Sequence, residues 1–301
     1  MALAGSDEEA PAWLDELPLK PGPPWLSMGL HPLDLDTWLV LDDRFEAELA
    51  LKRRLLAERH DEVFEARPGS EPAGQEVLEL IRAWLATHGE PLPRFSQPLP
   101  RLSAEPAAAA GGGLHPLDEA GRLVQEDLCL MIESDGHHLL AAASLCFPSH
   151  WRLSEKMGRS LAAIHSPVTH YDQELEARVD HFFERLRPER PMWRRNLSIH
   201  NHDQLFRPEP HESPRSFAPD ESGLDQVWLR SERQTLVRLP HTGAVLFTIK
   251  TQHCPLSVLT QRPDIAQALA IKLAAMEPDM AVTGESAPFP TWLVSWLRRT
   301  S

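Results

Sequence analysis

Cysteine is scarce in this 301-residue chain: Cys129, Cys146 and Cys254 are the whole complement, odd in number and without CxxC or CxxCH spacing. That argues against a disulfide framework, a zinc ribbon and a thioether-attached prosthetic group, and favours a reducing compartment. Basic residues are the minority, 30 against 44 acidic ones, for a net charge of -14. A nucleic-acid surface would be a local patch working against the field of the whole molecule, so nucleic acid is not an expected partner. Long apolar runs are missing too. The longest, Leu139 to Phe147, falls far short of the ~20 residues a membrane-spanning helix needs. The first residues carry Asp7, Glu8 and Glu9 with no basic stretch, unlike a secretory or transit peptide, and the cytoplasm is the expected location. No glycine-rich dinucleotide fingerprint occurs, and the thiols are too few and too scattered to hold an iron–sulfur cluster.

What is present is an ordinary globular balance, 42% hydrophobic, enough for one large core or two modest ones. Residues 1–24 mix proline, glycine and acids around Trp13 and Leu17 and read as a disordered or docked tail. Residues 25–103 read as a helical N-terminal part. Leu39, Phe45, Leu49 and Leu55 recur at helical spacing opposite a polar face of Arg44, Glu48, Lys52 and Arg53, and Val77, Leu78, Ile81, Trp84 and Leu85 repeat the pattern. The Ala/Gly-rich stretch at 104–116 reads as a linker.

The period then changes to two. Asp127–Glu133 and Leu139–Phe147 flank Asp135-Gly136, a type I′ hairpin signal. Ser154 is placed to cap a helix ending before Pro167, and Asp172 to cap another with a stripe of Leu175, Val179, Phe182, Phe183 and Leu186. Strands are expected again at Trp193–His200, Gln226–Leu239 and Ala244–Thr251, with an exposed loop over Arg207–Gly223. Residues 256–301 close the chain with helices at Asp264–Met276 and Thr291–Arg298. The fold class is therefore α+β. Two strands, a helix pair and three strands over 117–255 give the element order of a PAS-like domain, an antiparallel sheet with helices covering one face.

Several segments add a resemblance that spacing alone does not give. Met28-Gly29-Leu30, Asp127-Leu128-Cys129-Leu130-Met131, Ser154-Glu155-Lys156-Met157-Gly158, Ile164-His165-Ser166-Pro167-Val168, Arg195-Asn196, Glu232-Arg233-Gln234-Thr235-Leu236, the run Leu239 to Ile249 and the stretch Met276 to Ala281 resemble the alpha-subunit-like family of haem-dependent oxidative N-demethylases. The resemblance is collinear over about residues 25–285. It implies a PAS-like domain holding haem b non-covalently. The implied reaction uses O2 to oxidise the methyl group of a small secondary amine such as dimethylamine, releasing formaldehyde, with electrons from flavin and iron–sulfur reductase subunits. This chain departs from the family's pattern at Thr169, where proline is expected, and at Leu197, where tryptophan is expected.

Against that background His165 is the candidate axial ligand and iron-binding residue. It follows Leu161 and Met157 at i+4 and i+8, which would put the imidazole on an apolar helix stripe that also lines the porphyrin. A core histidine capping a helix end is the competing reading. Tyr171, the sole tyrosine, and Asn196 are candidate pocket residues for bound oxygen or amine. Arg195 and Arg233 are candidates for haem propionates, because a guanidinium fork matches a carboxylate. Arg233 shares a strand face with Ser231, Thr235, Val237 and Leu239, and Glu232 points the other way. Cys146 as a thiolate ligand lacks polar support from Leu145 and Phe147. His200 and His202 have the i, i+2 pitch of a strand-borne metal pair, which is half a site. The alternative to an enzyme is a non-catalytic PAS-type module that binds haem or another ligand and signals.

Overall fold

The computed structural model describes residues 9–20, 29–89, 113–134, 136–160, 163–164, 181–209, 220–275 and 291–301. Its centre is one antiparallel sheet of β1 (His31–Pro32), β2 (Phe64–Ala66), β3 (Asp127–Ser134), β4 (His137–Ser144), β5 (Met192–Arg195), β6 (Ser198–His200), β7 (Trp228–Arg238) and β8 (Val245–Pro255). The strand order is β1-β5-β7-β8-β3-β4-β2, with β6 paired to β7 beyond β5. Helices α1 (Phe45–Glu58), α2 (His60–Val63), α3 (Glu71–His88), α4 (Pro116–Gly121), α5 (Pro263–Ala274) and α6 (Thr291–Thr300) surround it. The α+β class expected from the sequence is thus observed. Among the described residues no helix is long and apolar enough to cross a membrane.

Local chemistry explains the elements. Strands β3 and β4 join through a two-residue turn in which Gly136 adopts φ +82°, a left-handed conformation that glycine takes without a Cβ clash. Strand β4 stops at Ser144 rather than running to Phe147. The Asp127 carboxylate accepts the backbone N–H groups of Cys146 and Phe147, both at 2.8 Å, and turns the chain out of the ladder. The expected strand Trp193–His200 is broken at Asn196-Leu197. There the Asn196 side chain accepts the Glu232 backbone N–H at 2.7 Å and donates to the Glu232 carboxylate at 2.8 Å.

The helix expected from Ser154 does not start there: Leu153–Glu155 is a single 3-10 turn, and the next helical residues described are Ala163 and Ile164, where the Ile164 N–H donates to the Ser160 carbonyl. Gly158 has φ +70° and its N–H donates to the Leu140 carbonyl, the Leu140 N–H donates to Arg159, and Ser160 bridges Leu139. A Cβ at position 158 would lie 2.4 Å from an Arg67 nitrogen, so this turn fits glycine alone. Competition from the open end of β4 wins over helix propensity across residues 158–160.

Alternation in the central strands sends side chains to two buried faces. Leu128, Leu130, Ala142, Val237 and Leu246 meet α1, α3 and α4 through Leu55, Leu56, Val77, Leu78, Ile81 and Leu117. Cys129, Met131, Ala143, Leu236 and Val245 face the other way, under Leu153, Phe183 and Leu186. A third apolar cluster at the sheet end joins Ile199, Leu229 and Cys254 to α5, α6 and to Leu14 and Leu17 of the N-terminal segment. Glu48 and Lys52, expected on a polar helix face, are buried instead. Lys52 donates to the carbonyls of Val124 and Glu126, and Glu48 pairs with Lys250 of β8.

Candidate functional site

The side of the sheet bearing Cys129 and Leu236 carries the candidate site. Cross-strand partners in an antiparallel pair share a face, so the register Met192↔Leu236↔Phe247 and Arg194↔Gln234↔Ile249 fixes which side chains stand together. Met131, Leu236, Val245, Phe247, Ile249 and Met192 make an apolar floor, and Met157, Ile164 and Phe182 pack against it from the covering segment. Position Ile164 and the helical turn from His181 bracket the stretch that contains His165 and Tyr171. His165, Tyr171 and Leu161 lie outside the described residues.

One corner of this floor is polar. Glu232 is hydrogen-bonded through one carboxylate oxygen to Asn196 at 2.8 Å and to Gln234 at 3.0 Å, while its other oxygen stands 3.8 Å from Arg230. Arg194 is registered opposite Gln234 on the same face, and its Nε is buried with no hydrogen-bond acceptor. Burial lowers the Arg194 pKa and the Glu232 charge opposes that shift. A half-buried guanidinium whose buried Nε–H is unanswered calls for an acceptor, and the chemistry that fits is a carboxylate.

The candidates inferred from the sequence divide between the two faces. Asn196 belongs to the polar corner and Met157 to the apolar cover. Arg195 and Arg233 are registered opposite each other on the α1–α3 side. There Arg195 donates to the Glu16 carboxylate and to Gln252 at 2.8 Å, and Arg233 donates to the carbonyls of Thr37 and Trp38 at 2.8 and 2.9 Å, over the Trp193 ring. The terminal nitrogens of these two guanidiniums are engaged by protein acceptors. Glu232 shares the site's face with Arg194, with Arg230, which donates to the Phe147 carbonyl, and with Arg238, which donates to the carbonyls of Phe183 and Leu186. Both faces of the sheet are buried, so period-two alternation separates the two sets without saying which set meets a ligand. The signal that did exist was parity with the aromatic Phe247 and with Leu236.

Burial disfavours the thiolate form of Cys129 and Cys146. It pushes the Cys146 thiol up to about 12 and raises that of Cys129, and Cys146 sits in the opposite cluster. The described floor is apolar side chains with the half-buried Arg194 at its polar corner, which suits a large planar apolar group carrying carboxylates. A family model described as haem-dependent oxidative N-demethylase, alpha subunit-like, matches residues 29–283, and the chain belongs to that family.

Proposed function

We propose, from membership of that family, that this chain is the haem-binding alpha subunit of an oxidative demethylase acting on a small secondary amine of the dimethylamine kind. Residues 117–255 are read as a PAS-like unit. The support is the strand order β4-β3-β8-β7-β5, a hairpin and a later three-strand group that closes against β3, with the covering segment between them. In this reading haem b is held non-covalently. Met131, Leu236, Phe247 and Ile249 would supply its apolar floor, Arg194 would meet a carboxylate of the group, and the His165 imidazole would hold its iron. When bound, the haem supplies activation of O2.

The chain's own residues do the rest. A secondary ammonium is a hydrogen-bond donor with a positive charge, and the Glu232 carboxylate, held in place by Asn196 and Gln234, accepts from it and orients its methyl group. Tyr171, outside the described residues, is the candidate hydroxyl for bound oxygen or amine. Apolar cover from Met157, Ile164 and Phe182 keeps water from the reacting centre. Electrons come from flavin and iron–sulfur partner subunits, since the alpha-subunit role of the family presupposes other subunits.

The observation that carries this reading is the pairing of an apolar sheet face with a half-buried arginine whose Nε lacks an acceptor and a hydrogen-bonded carboxylate, inside a chain of this family. Its test is spectroscopic. Protein purified with haem supplied should show a Soret band that His165→Ala abolishes or shifts. Amine-dependent O2 uptake with an electron donor should then appear. A Soret band without such uptake would leave a haem-binding sensor, and absence of any band would end the proposal.

A further inference from the structure

The pair His200 and His202 gains a third member that the sequence places 50 residues away. His150, His200 and His202 each direct one ring nitrogen into a common space, with these atoms within 4.8 Å of one another. The ring centroids are 5.9, 5.7 and 5.2 Å apart. Three different features hold them there. His200 ends β6 and is 2% exposed. His202 follows at the two-residue pitch. His150 is brought in by its backbone, which takes φ +63°, a conformation uncommon for any residue but glycine.

That unusual conformation is pinned from both sides. The His150 N–H donates to the Arg207 carbonyl at 2.7 Å, and the Arg207 N–H donates to the Pro148 carbonyl at 3.2 Å. Ser149 and Arg207 form an isolated parallel bridge. The outer nitrogens are held too. His150 Nδ1 lies 3.2 Å from the Glu209 carbonyl, and His200 Nε2 lies 2.8 Å from the Ser198 hydroxyl. A carbonyl can only accept, so His150 carries its proton on Nδ1 and presents the Nε2 lone pair inward. A backbone carbonyl fixing the tautomer of a ligating histidine is the recurrent outer-shell arrangement of metal sites.

We propose that His150, His200 and His202 form a binding site for a first-row divalent transition-metal ion of the zinc class. Imidazole nitrogens without carboxylate or carbonyl oxygens select zinc and its neighbours over magnesium or calcium. Tetrahedral bonds of about 2.1 Å set ligand atoms about 3.4 Å apart, so closure needs a contraction of about 1.4 Å or less, on the scale of side-chain rotation. Three protein ligands leave a fourth position for water or an anion. The ion would clip the segment after β4 to the segment after β6, joining loops that the sheet ladder does not pair.

The experiment uses the untagged full chain, freed of metal with a chelator and titrated calorimetrically with Zn2+, then with Co2+ while visible absorption is recorded. One ion per chain is expected, with ligand-field bands for Co2+ and no response to Mg2+. His150 and His202 are only partly buried, so their exchange for glutamine leaves the fold intact, checked by circular dichroism. The double variant H150Q/H202Q should lose the site. Ser198→Ala, which frees the His200 ring, should weaken it about 10–100-fold. Absence of saturable binding, or a stoichiometry that survives the double variant, would overturn the assignment. The Soret spectrum of the double variant should match that of the parent, which separates this site from the haem reading.

Discussion

The ammonium of Lys52 on α1 lies 3.8 Å from the carboxylate of Asp127 at the start of β3, with both side chains buried. Four bonds surround the pair: Lys52 donates to the carbonyls of Val124 and Glu126, and Asp127 receives the N–H groups of Cys146 and Phe147. Helix α1 is thereby fastened to the loop entering β3 and to the exit from β4. Removing one partner strands a buried charge, so Lys52→Met should cost about 3–5 kcal/mol in urea unfolding. A K52M/D127N double variant should cost less than the sum of the single ones, because the charge left behind is removed. Additive losses would show that the two groups act independently.

Glu76 on α3 plays the same part at the other end of the sheet. Its carboxylate accepts the backbone N–H groups of His241 and Thr242 at 2.8 and 2.9 Å and the Thr242 hydroxyl at 2.6 Å. The turn between β7 and β8 is thus held by a helix remote in sequence. Glu76→Ala should lower stability by about 2–3 kcal/mol, since the turn loses a charged acceptor. Exposed Glu79, three residues on, bonds only Gln75, and its alanine variant should stay within about 0.5 kcal/mol of the parent. Equal effects in thermal unfolding would refute the assignment.

His253 on β8 sets an acid limit. Burial, then the positive fields of Arg44, Arg230 and Lys250, holds the imidazole at about 4 against an ordinary 6.5, and Asp203 opposes them. The unfolded chain binds this proton more tightly than the folded one. Stability from this group is therefore whole above about pH 6.5 and is lost as the pH falls toward about 4. Glu48, Glu126 and Asp127 shift the opposite way, because burial raises their pKa and their protonation on acidification favours the folded state. The difference between parent and His253→Gln isolates the imidazole: the variant should lose less stability between pH 6.5 and 4. Parallel curves would exclude His253 as the source.

Much of the fold was legible in the residues. The β3–β4 hairpin follows from Asp135-Gly136, and α3, α5 and α6 follow from apolar spacing and a proline or threonine start. What was not legible shares one physical cause. Glu48 and Lys52 look like a solvated helix face because their partners, Lys250 and Asp127, are supplied by strands far along the chain. The Ser154 turn looks like a helix start because nothing local announces that the edge of β4 will claim residues 158–160. The third histidine at 150 was invisible for the same reason, its approach depending on the Ser149–Arg207 bridge. Strand spacing alone also does not say which face meets a ligand: Arg195 and Arg233 stand on the α1–α3 side, and their neighbours Arg194 and Glu232 share the face with Phe247 and Ile249.

That division between neighbours gives the sharpest functional test. Arg194 and Arg195 each have a buried Nε without an acceptor, but the terminal nitrogens of Arg195, on the face opposite the proposed haem, are answered by Glu16, Gln252 and Ser231. A charge-assisted hydrogen bond is worth about 1.5–3 kcal/mol, so Arg194→Met should weaken haem binding about 10-fold or more with little change in apo-protein stability. Arg195→Met should do the reverse. It leaves Glu16 and Gln252 without their donor, so the apo-protein should unfold more easily while haem affinity stays near that of the parent. Haem titration and thermal unfolding of both variants read the two effects separately. If Arg195→Met proves the one that releases haem, the ligand-bearing face is the α1–α3 side, and the polar corner of Glu232, Asn196 and Gln234 loses its assigned role.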